Sequence, residues 1–124
     1  MTLNEYQEKA MSTCMDSCNN FSYMMLNLVG EVGELSSKVA KMIRKGKFEI
    51  GVKSNLRVNI KAMGKDDFET FDNELKLEAG DIAWQLAGLC SVLGWSLEEV
   101  CQANLDKLAS RKARGVIDGN GDER

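Results

Sequence analysis

A chain of 124 residues with a net charge of −3 and neither histidine nor proline is long enough for one sizeable core and short for two. Its mild acidity leaves no basic face for duplex nucleic acid, and no apolar run reaches the roughly 18–20 residues of a membrane span. Aromatics make up only 6% of the chain, while Ala, Leu, Lys, Glu and Met are plentiful, which points to an all-α fold.

The opening MTLNEYQEKA has neither the basic head nor the apolar core of a secretion signal. A single cytoplasmic domain over residues 1–124 is therefore expected. Cys14, Cys18, Cys90 and Cys101 match no zinc spacing and read as buried small apolar residues in a reducing compartment.

The first helix is predicted from about Leu3 to Cys18, with Leu3, Tyr6, Ala10, Met11 and Cys14 on one side. The second, from about Ser22 to Arg44, spaces Met25, Leu28, Val32, Leu35, Val39 and Met42 by threes and fours, the helical period. Arg44 and Lys45 followed by Gly46 form a stop signal, positive charge in the last turn and then a residue able to turn left-handed. Residues 46–66 lose the period and carry Lys47, Lys53, Arg57, Lys61 and Lys65, and read as a long basic loop with at most one short element. A third helix spans about Asp67 to Leu93 and stops at Gly94. Ser96 caps a fourth that runs to about Ala113, with Glu99 in the capping-box position. Residues 115–124 are a glycine-rich tail. Four helices with narrow apolar stripes imply a four-helix-bundle-like domain.

The acidic residues stand close to those stripes. At about 100° per residue, Glu31 falls roughly 60° from Leu28, with Asn27, Glu34 and Lys38 on the same flank. On the third helix the apolar arc is Leu75, Ile82, Leu86, Leu89 and Leu93; Glu78 lies inside it, roughly 40° from Ile82, and Asp81 and Gln85 lie beside it. On the fourth, Asn104, Lys107 and Arg111 flank Leu97, Cys101, Leu105 and Leu108. Carboxylates at i and i+3 repel, and burial raises the cost. A hard divalent cation resolves the conflict, because oxygen-only ligation from two such pairs suits Mg²⁺, with Mn²⁺ possible. A lone E-x-x-E also reads as a solvated flank, and the cations as surface pairs. Iron is disfavoured, since di-iron bundles use E-x-x-H and no histidine exists.

The segments GEVGEL and LEAGDIAW, with NEYQ before them and NLDKLASRKARGV and GNGDER after, resemble the MazG-like all-α nucleoside triphosphate pyrophosphohydrolases over nearly the whole chain. The resemblance implies that Glu31, Glu34, Glu78 and Asp81 bind Mg²⁺, that Glu34 orients or deprotonates the attacking water, and that Lys38, Asn104, Lys107 and Arg111 bind the substrate. The implied reaction cleaves a (d)NTP to (d)NMP and pyrophosphate, as nucleotide-pool housecleaning. Many members carry a further glutamate where this chain has Gly30, so one outer carboxylate is missing. The tail offers backbone amides to phosphates, or a lid; an unordered terminus is the simpler reading.

Trp84 and Trp95 read as packing or subunit-contact residues. The stripes exceed what one short first helix covers, and Leu77 and Trp84 lie opposite the Ile82 arc, so the third helix is expected to be sandwiched. Together with the family's dimers and tetramers this implies a symmetric homo-oligomer with the third helix in its interface. The alternative functions are a nucleotide- or metal-binding module without turnover and a helical oligomerisation module.

Overall fold

The computed structural model describes residues 1–50, 56–58 and 64–123, with residues 48–50 and 56–58 described by backbone alone. Its elements are α1 (Leu3–Met11), a single 3-10 turn (Asp16–Cys18), α2 (Phe21–Arg44), β1 (Phe48–Ile50), β2 (Leu56–Val58), α3 (Lys65–Val92) and α4 (Leu97–Ala113). The fold is all-α, and the two three-residue strands form a small antiparallel hairpin that pairs Phe48 with Val58 and Ile50 with Leu56. No helix among the described residues is long and apolar enough to cross a membrane.

The hairpin corrects the expected basic loop. Phe-Glu-Ile and Leu-Arg-Val alternate apolar and charged residues with period two, but three residues are too few for that alternation to read as a strand. Lys53 and Lys61 lie outside the described residues.

α1 is also shorter than expected. A reciprocal capping box starts it: the Glu5 amide donates to Thr2 Oγ1 (3.1 Å) and the Thr2 amide to Glu5 Oε2 (2.7 Å). Past Met11, Ser12 Oγ donates to the Lys9 carbonyl (2.6 Å) and Thr13 Oγ1 to that of Ala10 (2.7 Å). Hydroxyls bonded back to the chain in this way compete with helix continuation. The other ends follow their signals. Gly46 has φ +69 after α2, and Ser96 accepts the Glu99 amide (3.1 Å) at the start of α4.

α3 is the central element and packs against α1, α2 and α4. It runs antiparallel to α2. Met24 abuts Gly88 near one end of their seam, Lys38 meets Glu78 towards the middle, and Val39 and Met42 pack with Phe71 and Leu75 at the other end. A second apolar cluster of Ala87, Cys90 and Leu97, with Tyr6, Met11, Val100 and Cys101, joins α1, α3 and α4.

Two polar side chains fasten α1 there. Gln7 Nε2 donates to Ser91 Oγ and the Trp95 carbonyl (both 3.0 Å), and Gln7 Oε1 accepts the Leu97 amide (2.7 Å). Trp84 Nε1 donates to the Ala10 carbonyl and Thr13 Oγ1 (both 3.0 Å), so Trp84 packs within the chain. All four cysteines are free; Cys90 is buried, while Cys14 and Cys18, between α1 and α2, and Cys101, at the edge of the second apolar cluster, are only partly so.

The inward face of α2 is rotated from the expected stripe. Met24 is fully buried, with Leu28, Glu31, Leu35, Lys38 and Val39 partly so, while Met25 and Val32 are exposed. The rotation follows from what α3 offers: Gly88 admits the Met24 thioether, and Glu78 draws Lys38 inward.

Candidate metal centre

The rotation brings acids from two helices together. Glu31 on α2 and Glu78 and Asp81 on α3 each contribute one carboxylate oxygen to a group whose oxygens all lie within 4.8 Å of one another. Glu31 and Glu78 are partly buried and Asp81 is exposed. The i, i+3 spacing on α3 sets Glu78 and Asp81 on one face, and the antiparallel seam sets Glu31 opposite them.

Three acids so close are electrostatically unfavourable without a cation. Burial pushes the Glu31 carboxyl above its ordinary value, and Glu34, Asp81 and Glu78 push it further; a hydrogen bond from Asn27 opposes them. That bond is 3.0 Å long, from Nδ2 to Glu31 Oε1. Glu78 has a cation already, since Lys38 Nζ lies 2.7 Å from its Oε1. This contact raises the Lys38 pKa, with burial opposing. The site therefore combines hard oxygen donors, partial burial and a surplus of negative charge, which together fit a divalent cation of the Mg²⁺ type.

Glu34, one turn along α2 from Glu31, is exposed and lies outside the three-oxygen group, although its charge acts on Glu31. Of the expected phosphate-binding residues, Lys38 stands at the acids. Asn104, Lys107 and Arg111 lie on α4, which packs against α1 and α3. Asn104 and Lys107 are exposed and border a shallow recess of about 300 Å³ with Val100 and Ala103. Arg111 is buried, and Lys107 and Arg111 both pair with Asp122 of the tail.

Asp122 and Tyr23 escaped sequence reasoning, and Gln85 was placed beside the apolar arc without a role. Asp122 was legible only as part of GNGD, with no signal marking its carboxylate. Tyr23 and Gln85 flank the acids at the end of the seam near α1. The Tyr23 phenol is raised first by its hydrogen bond to Cys18 and then by burial, while a hydrogen bond from Gln85 lowers it. Gln85 is buried, and its Oε1 has no partner among the described residues. The Gln85 spacing, one turn beyond Asp81, was the available signal.

Residues 19–116 match the MazG nucleotide pyrophosphohydrolase domain, a span that contains all four acids and the cations of α4. The chain is also similar to the Gene 37 protein of Mycobacterium phage L5, at 37% identity over a 133-residue alignment covering the whole of both chains. No solved structure matches it. With that domain matched over most of its length and Glu31 facing Glu78 and Asp81 across two antiparallel helices, the chain belongs to the MazG nucleotide pyrophosphohydrolase family.

Proposed function

We propose that this chain is a Mg²⁺-dependent nucleoside triphosphate pyrophosphohydrolase that converts a (d)NTP to (d)NMP and pyrophosphate as a cytoplasmic housecleaning activity. The observation that carries the reading is the convergence of Glu31, Glu78 and Asp81 across the α2–α3 seam. With Glu34 beside them, these residues would hold Mg²⁺, or Mn²⁺ in its place. Such an ion, when bound, neutralises phosphate charge and acidifies water.

The chain's own groups supply the remainder. Glu34, exposed at the edge of the group, orients the attacking water and takes its proton. The water oxygen joins one phosphorus of the α–β bridge as that phosphorus loses the bridging oxygen, so the products are monophosphate and pyrophosphate. Lys38, already at Glu78, meets the developing phosphate charge. Lys107 and Arg111 bind phosphate oxygens and Asn104 donates hydrogen bonds to the same ligand.

Assembly completes the proposal. Leu26 and Val29 on α2, Leu77 on α3 and Leu105 and Leu108 on α4 are exposed. A symmetric homo-oligomer, a dimer or tetramer, would cover these faces.

The test is pyrophosphate release from a panel of canonical and modified nucleoside triphosphates with and without Mg²⁺. Release is expected only with the metal, and Glu78→Gln and Asp81→Asn should each lower kcat/KM by about a hundredfold or more with helix content unchanged. Nucleotide binding without release from any triphosphate would reassign the chain as a binding module.

A further inference from the structure

The C-terminal tail places one carboxylate oxygen between two cations of α4. Asp122 Oδ1 lies 2.9 Å from Arg111 Nη2 and 3.4 Å from Lys107 Nζ. The same Nη2 donates to the carbonyls of Asp122 (3.2 Å) and Gly121 (3.4 Å). Gly115 and Gly121, at φ +67 and +77, let the tail turn back over the helix. A hydrogen bond of 3.0 Å from the Val116 amide to the Arg111 carbonyl starts that turn.

The two sides of this contact differ in burial. The Arg111 side chain is 5% exposed and that of Asp122 is 85% exposed. A buried guanidinium requires an anion, and Arg111 Nε has no partner among the described residues, so its donors are not all used. The anion it has is a single carboxylate charge on a side chain that stays open to solvent. A phosphate chain offers more charge and more acceptors for the same donors.

We infer that Asp122 is an internal stand-in for phosphate: the tail and the phosphate chain of a nucleotide compete for Lys107 and Arg111, and the nucleotide binds as the tail lifts. This rests on the assignment of Lys107 and Arg111 to phosphate binding given above. The tail then acts on affinity. A triphosphate displaces it more completely than a monophosphate, whose smaller charge competes less well, so the tail returns as pyrophosphate departs and favours product release.

The probe is inorganic tripolyphosphate added to the full chain, with ¹⁵N relaxation reporting the order of residues 116–123 and calorimetry reporting affinity. Saturating tripolyphosphate should loosen the tail. Asp122→Asn should leave it loose without the probe and bind tripolyphosphate roughly two- to fivefold more tightly, the factor expected from removing a competing carboxylate that is itself open to solvent. Truncation after Gly119 should give the same tightening. A tail that stays ordered at saturation, weaker binding by either variant, or no binding of tripolyphosphate would overturn the inference. Pyrophosphate release with the tail still docked refutes this inference alone. Loosening by tripolyphosphate with no hydrolysis of any triphosphate refutes the hydrolase reading and leaves the competition standing.

Discussion

Glu31 shows at the scale of one residue why clustered carboxylates are unstable without a cation. Its carboxylate is partly buried, close to Glu34, Glu78 and Asp81, and supported by Asn27. Glutamine keeps the oxygen that Asn27 binds and removes the charge. Glu31→Gln should therefore melt at or above the wild-type temperature in chelator, yet lose turnover by about a hundredfold or more; thermal melts in EDTA and a pyrophosphate assay read the two effects. Asp122 has the opposite shift. Arg111, and then Lys107, hold its carboxyl below the ordinary value of 3.8, so its ionised form favours the docked tail. That contribution is present above 3.8 and is lost as pH falls through the lower, docked-state value. Tail amide signals should accordingly sharpen towards random-coil positions on acidification below pH 4, before the helices unfold.

Between elements, Met24 packs directly against Gly88. A Cβ added at Gly88 would collide with the Met24 Sδ and Cε atoms, and Met24 is fully buried. Gly88→Ala should destabilise the fold by about 1–3 kcal/mol, measured by chemical denaturation, with Met24→Ala in the same chain recovering part of the loss. The same contact explains why the α2 face departs from the periodicity reading. The alternation of Met25, Leu28, Val32 and Leu35 fixed a helix but not its rotation, and a glycine some sixty positions away selected Met24 for the seam. Glu31 and Lys38 turned inward with it. α1 ended early for a local reason that apolar spacing does not register, the Ser12 and Thr13 hydroxyls bonded back to the chain.

For the whole molecule, the exposed apolar residues and the acidic centre each give a prediction. Leu26 and Val29 are 76% and 69% exposed and Leu77 is 71% exposed, more apolar surface than a small monomer commonly leaves open. Light scattering at micromolar concentration should return a multiple of the monomer mass, and Leu26→Asp should shift it towards the monomer while helix content holds. A charged replacement at Trp84 tests something else, because that indole is bonded to Ala10 and Thr13 of its own chain. Mg²⁺ should raise the melting temperature, since a ligand that binds only the folded state stabilises it by about 2.7 kcal/mol at a hundredfold excess over its Kd. An unchanged melting temperature in millimolar Mg²⁺ would argue against the metal centre.

The sequence by itself determined what depends on neighbours a few positions away: the helical class, the ends at Gly46 and Ser96, and the spacing of Glu31 with Glu34 and of Glu78 with Asp81. These follow from backbone geometry and from the 3.6-residue turn, which a linear pattern records directly. Tertiary structure alone decided which acids meet, because Glu31 reaches Glu78 and Asp81 only when α3 folds back along α2. It also decided that Lys38 pairs with Glu78, that Gln7 ties α1 to the start of α4, and that Arg111, which reads as an open flank on a helical wheel, lies buried beneath the tail. Each of these contacts joins residues from different segments, and the energy of a polar or ionic pair depends on the burial its surroundings impose, a quantity set by the packed chain and absent from the order of its residues.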